Sequence, residues 1–465
     1  MSDSLTPQSP DPDEPDFQKM LSELLGSNAD NPQLAEALKA MGIDRLDPAA
    51  MGMISAQLQA MFSSYPGEVF NAELATDVAR KTVSAAGDTS LGATARREVE
   101  EAAHVAGLWL DDVTQLTAPG VAARAWSRAE WVDQTMPVWR TLVEPVASGV
   151  SAAIVAAMRG QMGSLDPSQL PPGLPAGMDV GAMMGQMEPM LARMSASMFG
   201  AQVGQAVGAL AGDLLSGTEV GLPLVEGHAV ALLPANIASF AEGLEIDLSE
   251  VRLYIAVREA ARVRLFADVP WLAPQLVAAV QAYASDISID TEQIESALQS
   301  VDPTDPAAMQ SALSDSLFTP EPSAAQRAAL GRLETYLALV EGWVDVVAER
   351  ATAGHLPHGA ALGEAVRRRR ASGGPAERLF SSLVGLELRP RRLRDAANLW
   401  AALESDGGVA ARDGAWAHPD VAPTAADLDD PLGYVERVRG ARGGDDLDAA
   451  LDAILREGES GGGPA

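Results

Sequence analysis

The stretch DLSEVRLYIAVREAARVRLFADVPW, residues 247–271, has the pattern of a long helix. Asp247 followed three residues later by Glu250 matches a capping box, in which the two residues bond to each other's backbone. No glycine or proline follows until Pro270, and a proline just beyond a helix is a common stop signal. The sequence therefore predicts one uninterrupted helix between Asp247 and Pro270.

Two arginines lie on the apolar face of this predicted helix. At about 100° per residue, that face collects Val251, Tyr254, Ile255, Leu265 and Phe266. Arg258 and Arg262 project from its middle, one turn apart, and Glu259 lies at its edge. Arginines in the middle of a helix need a partner or water, because they cannot extend past a helix end to solvent. An arginine-lined groove and a structural ion pair both fit this pattern.

A second predicted helix, about Ser323–Ala351, has a carboxylate where an apolar residue is expected. Its apolar face comprises Leu330, Leu333, Leu337, Val340 and Val344. Glu341 lies in the middle of that face, and Asp345 follows one turn later. A glutamate among leucine and valine is costly unless it is paired or bound to a metal. We therefore expect the two helices to face each other, with Glu341 near the arginines.

The overall composition limits the class of protein. The chain has 465 residues, is 47% hydrophobic and only 5% aromatic, and is rich in helix-forming residues, which predicts a mainly α-helical globular protein. Its formal net charge of −31 argues against general nucleic-acid binding, which needs positive charge. There is no cysteine, which excludes disulfides and cysteine-based metal sites. With no signal peptide and no apolar run of about 18 residues, the sequence predicts a cytoplasmic protein without a membrane span.

Five regions are predicted along the chain. They are a disordered acidic tail (1–15), a small N-terminal helical lobe (16–66), a helical region with a Pro/Gly/Met-rich connection (67–190), a core (191–439) and a flexible C-terminal tail (440–465). In the core, Leu222–Val225 and Ala229–Leu233 flank a turn and predict a small β-hairpin. Gly200, Gly204, Gly208 and Gly212 recur every four residues and predict close approach of another helix in a soluble bundle.

The two unusual helices have the spacing of a zinc protease site. Zincins carry His-Glu-x-x-His on one helix, where the histidines bind zinc and the glutamate is the general base. In one zincin class, a later helix supplies a third ligand, a glutamate that an aspartate follows four residues on. Here Arg258-Glu259-Ala260-Ala261-Arg262 retains the glutamate between two arginines, and Glu341-Gly342-Trp343-Val344-Asp345 has the second form.

At these residues the sequence resembles the zincin-like metallopeptidase type 2 family of actinobacteria, whose members are labelled hydrolases or zinc-dependent metalloproteases. A branch associated with coenzyme F420 biosynthesis is similar but more distant. The resemblance runs from about Met198 to Val435, and it rests on GAQVGQAVGALAG, HAVALLPANIASFAEGL, VRLYIAVREAARVRLFADVPWL, LVEGWVDVV and GLELRPRRLRDAANLW. It implies a mainly helical zincin-like core, a peptidase role and, in the family, a zinc cofactor.

The resemblance also implies a role for each position. Glu259 matches the general base, Glu341 the third metal ligand and Asp345 a residue that orients a ligand, while Arg258 and Arg262 match the two histidines. Arginine stays cationic and is a very poor zinc ligand. We therefore expect no zinc at this site. We expect the arginines to replace the metal cation by pairing with Glu341 and Glu259.

Three functions remain open from the sequence. The first is a pseudoenzyme that binds an unknown protein or peptide partner. The second is an active zinc-dependent metalloprotease or hydrolase acting on peptides. The third is a partner-binding module centred on an arginine patch, which comprises Arg367, Arg368, Arg369, Arg370, Arg389, Arg391, Arg392 and Arg394. A simpler interpretation of that patch is a set of salt bridges to an otherwise acidic body.

Overall fold

A computed structural model describes residues 69–164, 180–284, 323–371 and 391–441. These residues belong to one unit, Met61–Ala465. The predicted acidic tail and N-terminal lobe lie outside the described residues. So do most of the Pro/Gly/Met-rich connection, nearly all of the C-terminal tail, and Arg389.

The described chain is mainly helical, which confirms the predicted fold class. The helices are α1 (Ala72–Ala85), α2 (Ala93–Asp111), α3 (Arg128–Ser164), α4 (Val180–Asp213), α5 (Pro234–Ala241), α6 (Leu248–Asp268), α7 (Leu272–Ala284), α8 (Ala324–Thr352), α9 (Gly359–Ala371), α10 (Arg391–Gly414), α11 (Ala425–Asp429) and α12 (431–441). Two short strands, β1 (Arg124–Ala125) and β2 (Ala231–Leu232), and a 3-10 helix (Glu226–His228) complete the regular structure of these ranges.

Helix α6 begins and ends where the sequence predicts. Asp247 caps it by accepting a hydrogen bond from Ser249 N at 2.8 Å, and the helix ends two residues before Pro270. Glu250 does not close the predicted capping box, because its carboxylate accepts a bond from His358 N instead, at 2.7 Å. From Tyr254 to Phe266 the helix is buried on every side, since α2 and α8 both pack against it. The single apolar face predicted from periodicity is therefore too narrow.

Helix α8 is held so that Glu341 faces α6. On another side of the helix, Gly342 lets α10 approach closely, because a Cβ at this position would lie only 2.7 Å from Ala397 N. The indole of Trp400 on α10 donates to Leu339 O at 2.9 Å, and the indole of Trp343 on α8 donates to the buried Asp413 at 2.9 Å. These contacts fix the rotation of α8 about its axis.

The predicted β-hairpin is wrong in its pairing. Ala231–Leu232 forms a strand within the predicted segment Ala229–Leu233, but its partner is β1, in parallel, with Arg124 opposite Ala231. Leu222–Val225 forms no strand. On its other side β2 pairs antiparallel with Ser216. Sequence periodicity could not find these pairings, because the strands are two residues long and their partners are distant along the chain.

The glycine row of α4 forms the predicted close helix contact, and the partner is α1. A Cβ on Gly204 would lie 2.4 Å from Ala75 O, and one on Gly208 would lie 2.8 Å from Ala79 O. Gly200 approaches Asn71 O in the same way, whereas a Cβ on Gly212 would meet nothing within 4 Å. Three of the four glycines therefore set the spacing of the two helices.

Gly204→Ala is expected to destabilise the protein by about 1–3 kcal/mol, because the added methyl forces α1 away from α4. Gly212→Ala in the same helix is the matched control, and it is expected to be neutral or to stabilise by up to about 1 kcal/mol, since alanine favours helix more than glycine does. Urea unfolding of both variants measures the difference. Equal effects of the two substitutions would contradict the packing.

In the part of the chain that the structure describes, no single helix is long and apolar enough to cross a membrane. The bent pair Leu248–Asp268 and Leu272–Tyr283, with 88° between its members, passes that test by length and composition only.

Candidate functional site

Glu259, on α6, is fully buried and accepts hydrogen bonds on both carboxylate oxygens. Its Oε2 accepts from Ser216 Oγ at 2.7 Å, Thr218 Oγ1 at 2.9 Å and Arg262 Nη1 at 2.7 Å. Its Oε1 accepts from Thr218 N at 2.9 Å. Burial raises the pKa of Glu259, although Arg262 and the two hydroxyls oppose the shift. The carboxylate of Glu259 is thus enclosed by donors.

The segment that donates to Glu259 is held in place by β2. Gly217 N donates to Ala231 O at 2.8 Å, and Trp131 Nε1 donates to Gly217 O at 3.1 Å. Only glycine fits at 217, because a Cβ there would lie 2.7 Å from Val225 Cγ2 and 2.9 Å from Ala231 Cβ. Sequence reasoning missed Ser216 and Thr218, since two hydroxyl residues around a glycine give no periodic or motif signal.

Glu341, on α8, is the point where three arginines converge. Arg262 Nε donates to its Oε1 at 2.8 Å, and Arg262 Nη2 lies 3.4 Å from its Oε2. Arg258 Nη2 lies 3.3 Å and Arg370 Nη1 lies 2.5 Å from the same Oε2. The predicted contact between the arginine helix and Glu341 is therefore confirmed. Arg370 is a partner that the sequence analysis had placed only in the arginine patch.

Asp345 extends the cluster towards α9. Its Oδ1 accepts from Arg258 Nη1 at 2.7 Å, and its Oδ2 accepts from Arg367 Nη1 at 3.0 Å. Arg258 thus bridges Glu341 and Asp345, while Arg262 bridges Glu341 and Glu259. We call the connected set Arg258, Glu259, Arg262, Glu341, Asp345 and Arg370 the arginine–carboxylate cluster.

Electrostatics keep the centre of this cluster charged. Burial alone would raise the pKa of Glu341, but Arg262, Arg370 and Arg258 lower it to about 2. Burial alone would lower the pKa of Arg262, but Glu341 and Glu259 raise it above the ordinary arginine value. Glu341 is therefore ionised and Arg262 protonated throughout the neutral range.

A further buried arginine on α6, Arg264, escaped the sequence analysis. Its Nη2 donates to Gly107 O at 2.8 Å and to Asp111 Oδ1 at 2.7 Å, and its Nη1 donates to Leu116 O at 3.2 Å. These acceptors lie on α2 and just after it, on the side away from the cluster. Arg264 thus fastens α6 to α2 and carries no site chemistry.

The arginine patch is largely taken up by salt bridges, as the simpler interpretation predicts. Arg368 pairs with Glu364 at 2.9 Å, Arg369 pairs with Glu219, and Arg392 pairs with Asp429 at 2.5 Å. Arg367 and Arg370 join Asp345 and Glu341 as described above. Among the described residues, Arg394 has no ion-pair partner, and it is exposed.

A cleft of about 940 Å³ opens onto one side of the cluster. Helices α8, α9 and α10 form most of its wall, and Arg258 of α6 also lines it. Its charged lining residues are Arg258, Glu341, Asp345, Glu349, Arg367, Arg370, Arg394 and Asp395. Apolar lining comes from Val346, Val366, Leu393, Ala397 and Ala401. The volume suits a small organic ligand.

The cluster does not fit a zinc ion. Zinc needs ligand atoms with free electron pairs, and a protonated guanidinium has none. Arg262 also occupies the space between Glu259 and Glu341, with bonds of 2.7 and 2.8 Å to the two carboxylates. Among the residues that the structure describes, no group of three or more His, Asp or Glu side chains could hold a metal ion. His355 and His358 point elsewhere, since His355 stacks on Trp109 and His358 pairs with Glu250.

Comparison with known families assigns this architecture. The profile of the family described as zincin-like metallopeptidase matches residues 70–435, most of the chain. The protein belongs to the zincin-like metallopeptidase family. The match begins just before α1, whereas the sequence segments that carry the resemblance begin near Met198. The family assignment therefore includes helices α1–α3, which precede the predicted core.

A solved structure has a fold similar to that of this zincin-like protein. The crystal structure of a proposed hydrolase with a novel fold from Chloroflexus aurantiacus aligns with 80% of this chain and 99% of its own, with a TM-score of 0.55. The two sequences are 16% identical, so the likeness concerns the fold alone. No curated protein matches the chain.

Proposed function

We propose that this zincin-like protein is a pseudoenzyme, which binds a ligand or partner and does not hydrolyse peptides. The main support for this proposal is the position of Arg262, whose guanidinium donates hydrogen bonds to both Glu259 and Glu341. The sequence resemblance matches these two carboxylates to the general base and the third metal ligand of active zincins. A fixed cation thus lies between them where an active zincin would hold zinc.

Two consequences for chemistry follow from this geometry. Glu259 cannot act as a general base towards a metal-bound water, because Ser216, Thr218 and Arg262 occupy its oxygens. Glu341 cannot bind zinc while Arg262 lies between it and Glu259, and Arg370 places a further cation against the same carboxylate. The cluster retains a positive charge beside two carboxylates but offers neither an activated water nor an open coordination position.

We infer that the chain belongs to the actinobacterial type 2 group and binds a protein or peptide partner in the cytoplasm. The support is the sequence resemblance and the acidic, cysteine-free composition.

Metal analysis tests the proposal. The protein is purified without chelators, dialysed against zinc and measured by mass spectrometry of metals, and peptidase activity is followed with a mixed fluorogenic peptide library. The expected result is far less than one zinc per chain and no hydrolysis that a chelator abolishes. One zinc per chain, lost in a folded Glu341→Gln variant but kept in Glu349→Gln, together with peptide hydrolysis that a chelator abolishes, would instead establish an active zinc metalloprotease.

A further inference from the structure

Four arginines and four carboxylates line the cleft beside the cluster. Arg258, Arg367 and Arg370 line it from α6 and α9, and Arg394 lines it from α10. Arginine recognises carboxylate and phosphate groups through paired hydrogen bonds. A cleft with four arginines therefore has the chemistry of an anion site, provided that some of them are incompletely compensated.

The positive charge of Arg370 is only partly compensated by neighbouring carboxylates. Among the described residues, its one ion-pair partner is Glu341, which Arg258 and Arg262 also contact. Its Nη2 donates to a backbone oxygen, Glu219 O, at 3.1 Å. Its Nε is buried and has no hydrogen-bond partner within the described residues. Burial lowers the pKa of Arg370, because Glu341 offsets burial only in part and the neighbouring arginines oppose it. An additional anion nearby would stabilise this side chain.

Within the described part of the chain, Arg394 has no partner that would compete with a ligand. It is exposed on α10, and no described residue forms an ion pair with it. Arg370 and Arg394 therefore line one cleft from two different helices, together with the apolar residues Val366 and Leu393.

The carboxylates of the cleft limit the charge of the ligand. Glu341 and Asp345 are each engaged by two or more arginines. Glu349 and Asp395 also line the cleft, and neither has an ion-pair partner among the described residues. These two would repel a polyanion but tolerate a ligand with one anionic group and an apolar body.

We propose that the cleft binds a small organic molecule bearing one carboxylate or phosphate group, with Arg370 and Arg394 as its main contacts. This inference rests on the proposed function, because it requires arginines rather than zinc to occupy the cluster. It adds a small-molecule ligand to the protein or peptide partner proposed above.

Matched probes test the charge requirement. Benzoate and benzamide have nearly the same shape, so isothermal titration calorimetry at constant ionic strength isolates the effect of the charge. Inorganic phosphate, titrated alone and in competition with benzoate, distinguishes a phosphate preference from a carboxylate preference. We expect benzoate or phosphate to bind to zinc-free wild-type protein and benzamide not to bind.

Variants of the arginines locate the site. Arg394→Gln, at an exposed position, is expected to weaken binding about fivefold or more, and Arg370→Gln is expected to weaken it further. Arg368→Gln is the control. Arg368 lies on α9, the helix of Arg370, and carries the same charge, but it does not line the cleft. Equal affinity of Arg394→Gln and Arg368→Gln overturns the inference, as does the absence of anion binding by zinc-free protein. Zinc found in the same preparations would instead overturn the proposed function.

Discussion

Replacing Glu341 by alanine is expected to lower the free energy of unfolding by about 3–5 kcal/mol. The side chain is 5% exposed, and its carboxylate is shared by Arg258, Arg262 and Arg370. Removing it leaves a cavity, and Arg370 loses its carboxylate partner. Among the described residues, Arg258 and Arg262 then keep only Asp345 and Glu259. An uncompensated buried charge costs several kcal/mol, far more than the loss of a surface ion pair. Urea unfolding followed by circular dichroism measures the change.

The matched control is Glu349→Ala on the same helix. Glu349 is exposed and lacks an ion-pair partner among the described residues, so its replacement is expected to change stability by less than about 0.5 kcal/mol. A cost below about 1 kcal/mol for Glu341→Ala would mean that the arginines reach water, and the buried cluster would then be wrong.

The contribution of Glu341 is also expected to depend on pH. Its pKa is lowered from 4.5 to about 2 by the arginines, so it binds a proton less readily in the folded state than in the unfolded state. Its stabilising effect is therefore fully present above about pH 4.5 and is lost as the pH falls towards 2. The stability difference between wild type and Glu341→Gln should be constant near neutral pH and shrink through this range. A difference independent of pH would contradict the charged cluster.

The double variant Arg258→His, Arg262→His is expected to gain one tightly bound zinc per chain. It creates His-Glu-Ala-Ala-His on α6, with two imidazoles one turn apart, and it frees Glu341 from two of its three arginines. Two histidines and a glutamate with one open position form a catalytic zinc site. Metal content by mass spectrometry, and a zinc-dependent rise in melting temperature, measure the gain.

Two controls separate ligand chemistry from charge removal in this experiment. Arg258→Gln, Arg262→Gln removes the same two charges without adding imidazoles and is expected to bind no zinc. Adding Arg370→Gln to the histidine variant removes the remaining cation beside Glu341 and should strengthen zinc binding. If neither histidine variant holds zinc, positions 258, 262 and 341 do not correspond to the metal ligands of active zincins.

Part of the site could be predicted from the sequence because burial of charge is costly wherever it occurs. Arg258 and Arg262 on one helix, and Glu341 on another, each contradict the apolar pattern around them. Only mutual pairing or a metal removes that contradiction. The contact of 2.8 Å between Arg262 and Glu341 follows that reasoning. The ends of α6 could also be predicted from the sequence, because Asp247 and Pro270 are local signals that need no tertiary contact.

Other parts of the site depend on contacts between distant segments. Ser216 and Thr218 donate to Glu259 only because β2 holds their segment beside α6. Arg370 is one of four successive arginines, and only the position of α9 selects it, rather than Arg368, to reach Glu341. Single-sequence patterns report the periodicity of one element and not the partner that it faces.

By itself, the sequence of this zincin-like protein determined its helical class, the bounds of its central helix and the pairing of arginine with carboxylate at positions 258, 262 and 341. Only the tertiary structure determined which further side chains contact these residues. The enclosure of Glu259 by hydroxyls, the third arginine on Glu341 and the cleft lined by arginines and carboxylates all arise where separate helices meet. The physical reason is that the cost of burying a charge is a property of each residue, whereas its compensation depends on which other segments fold against it.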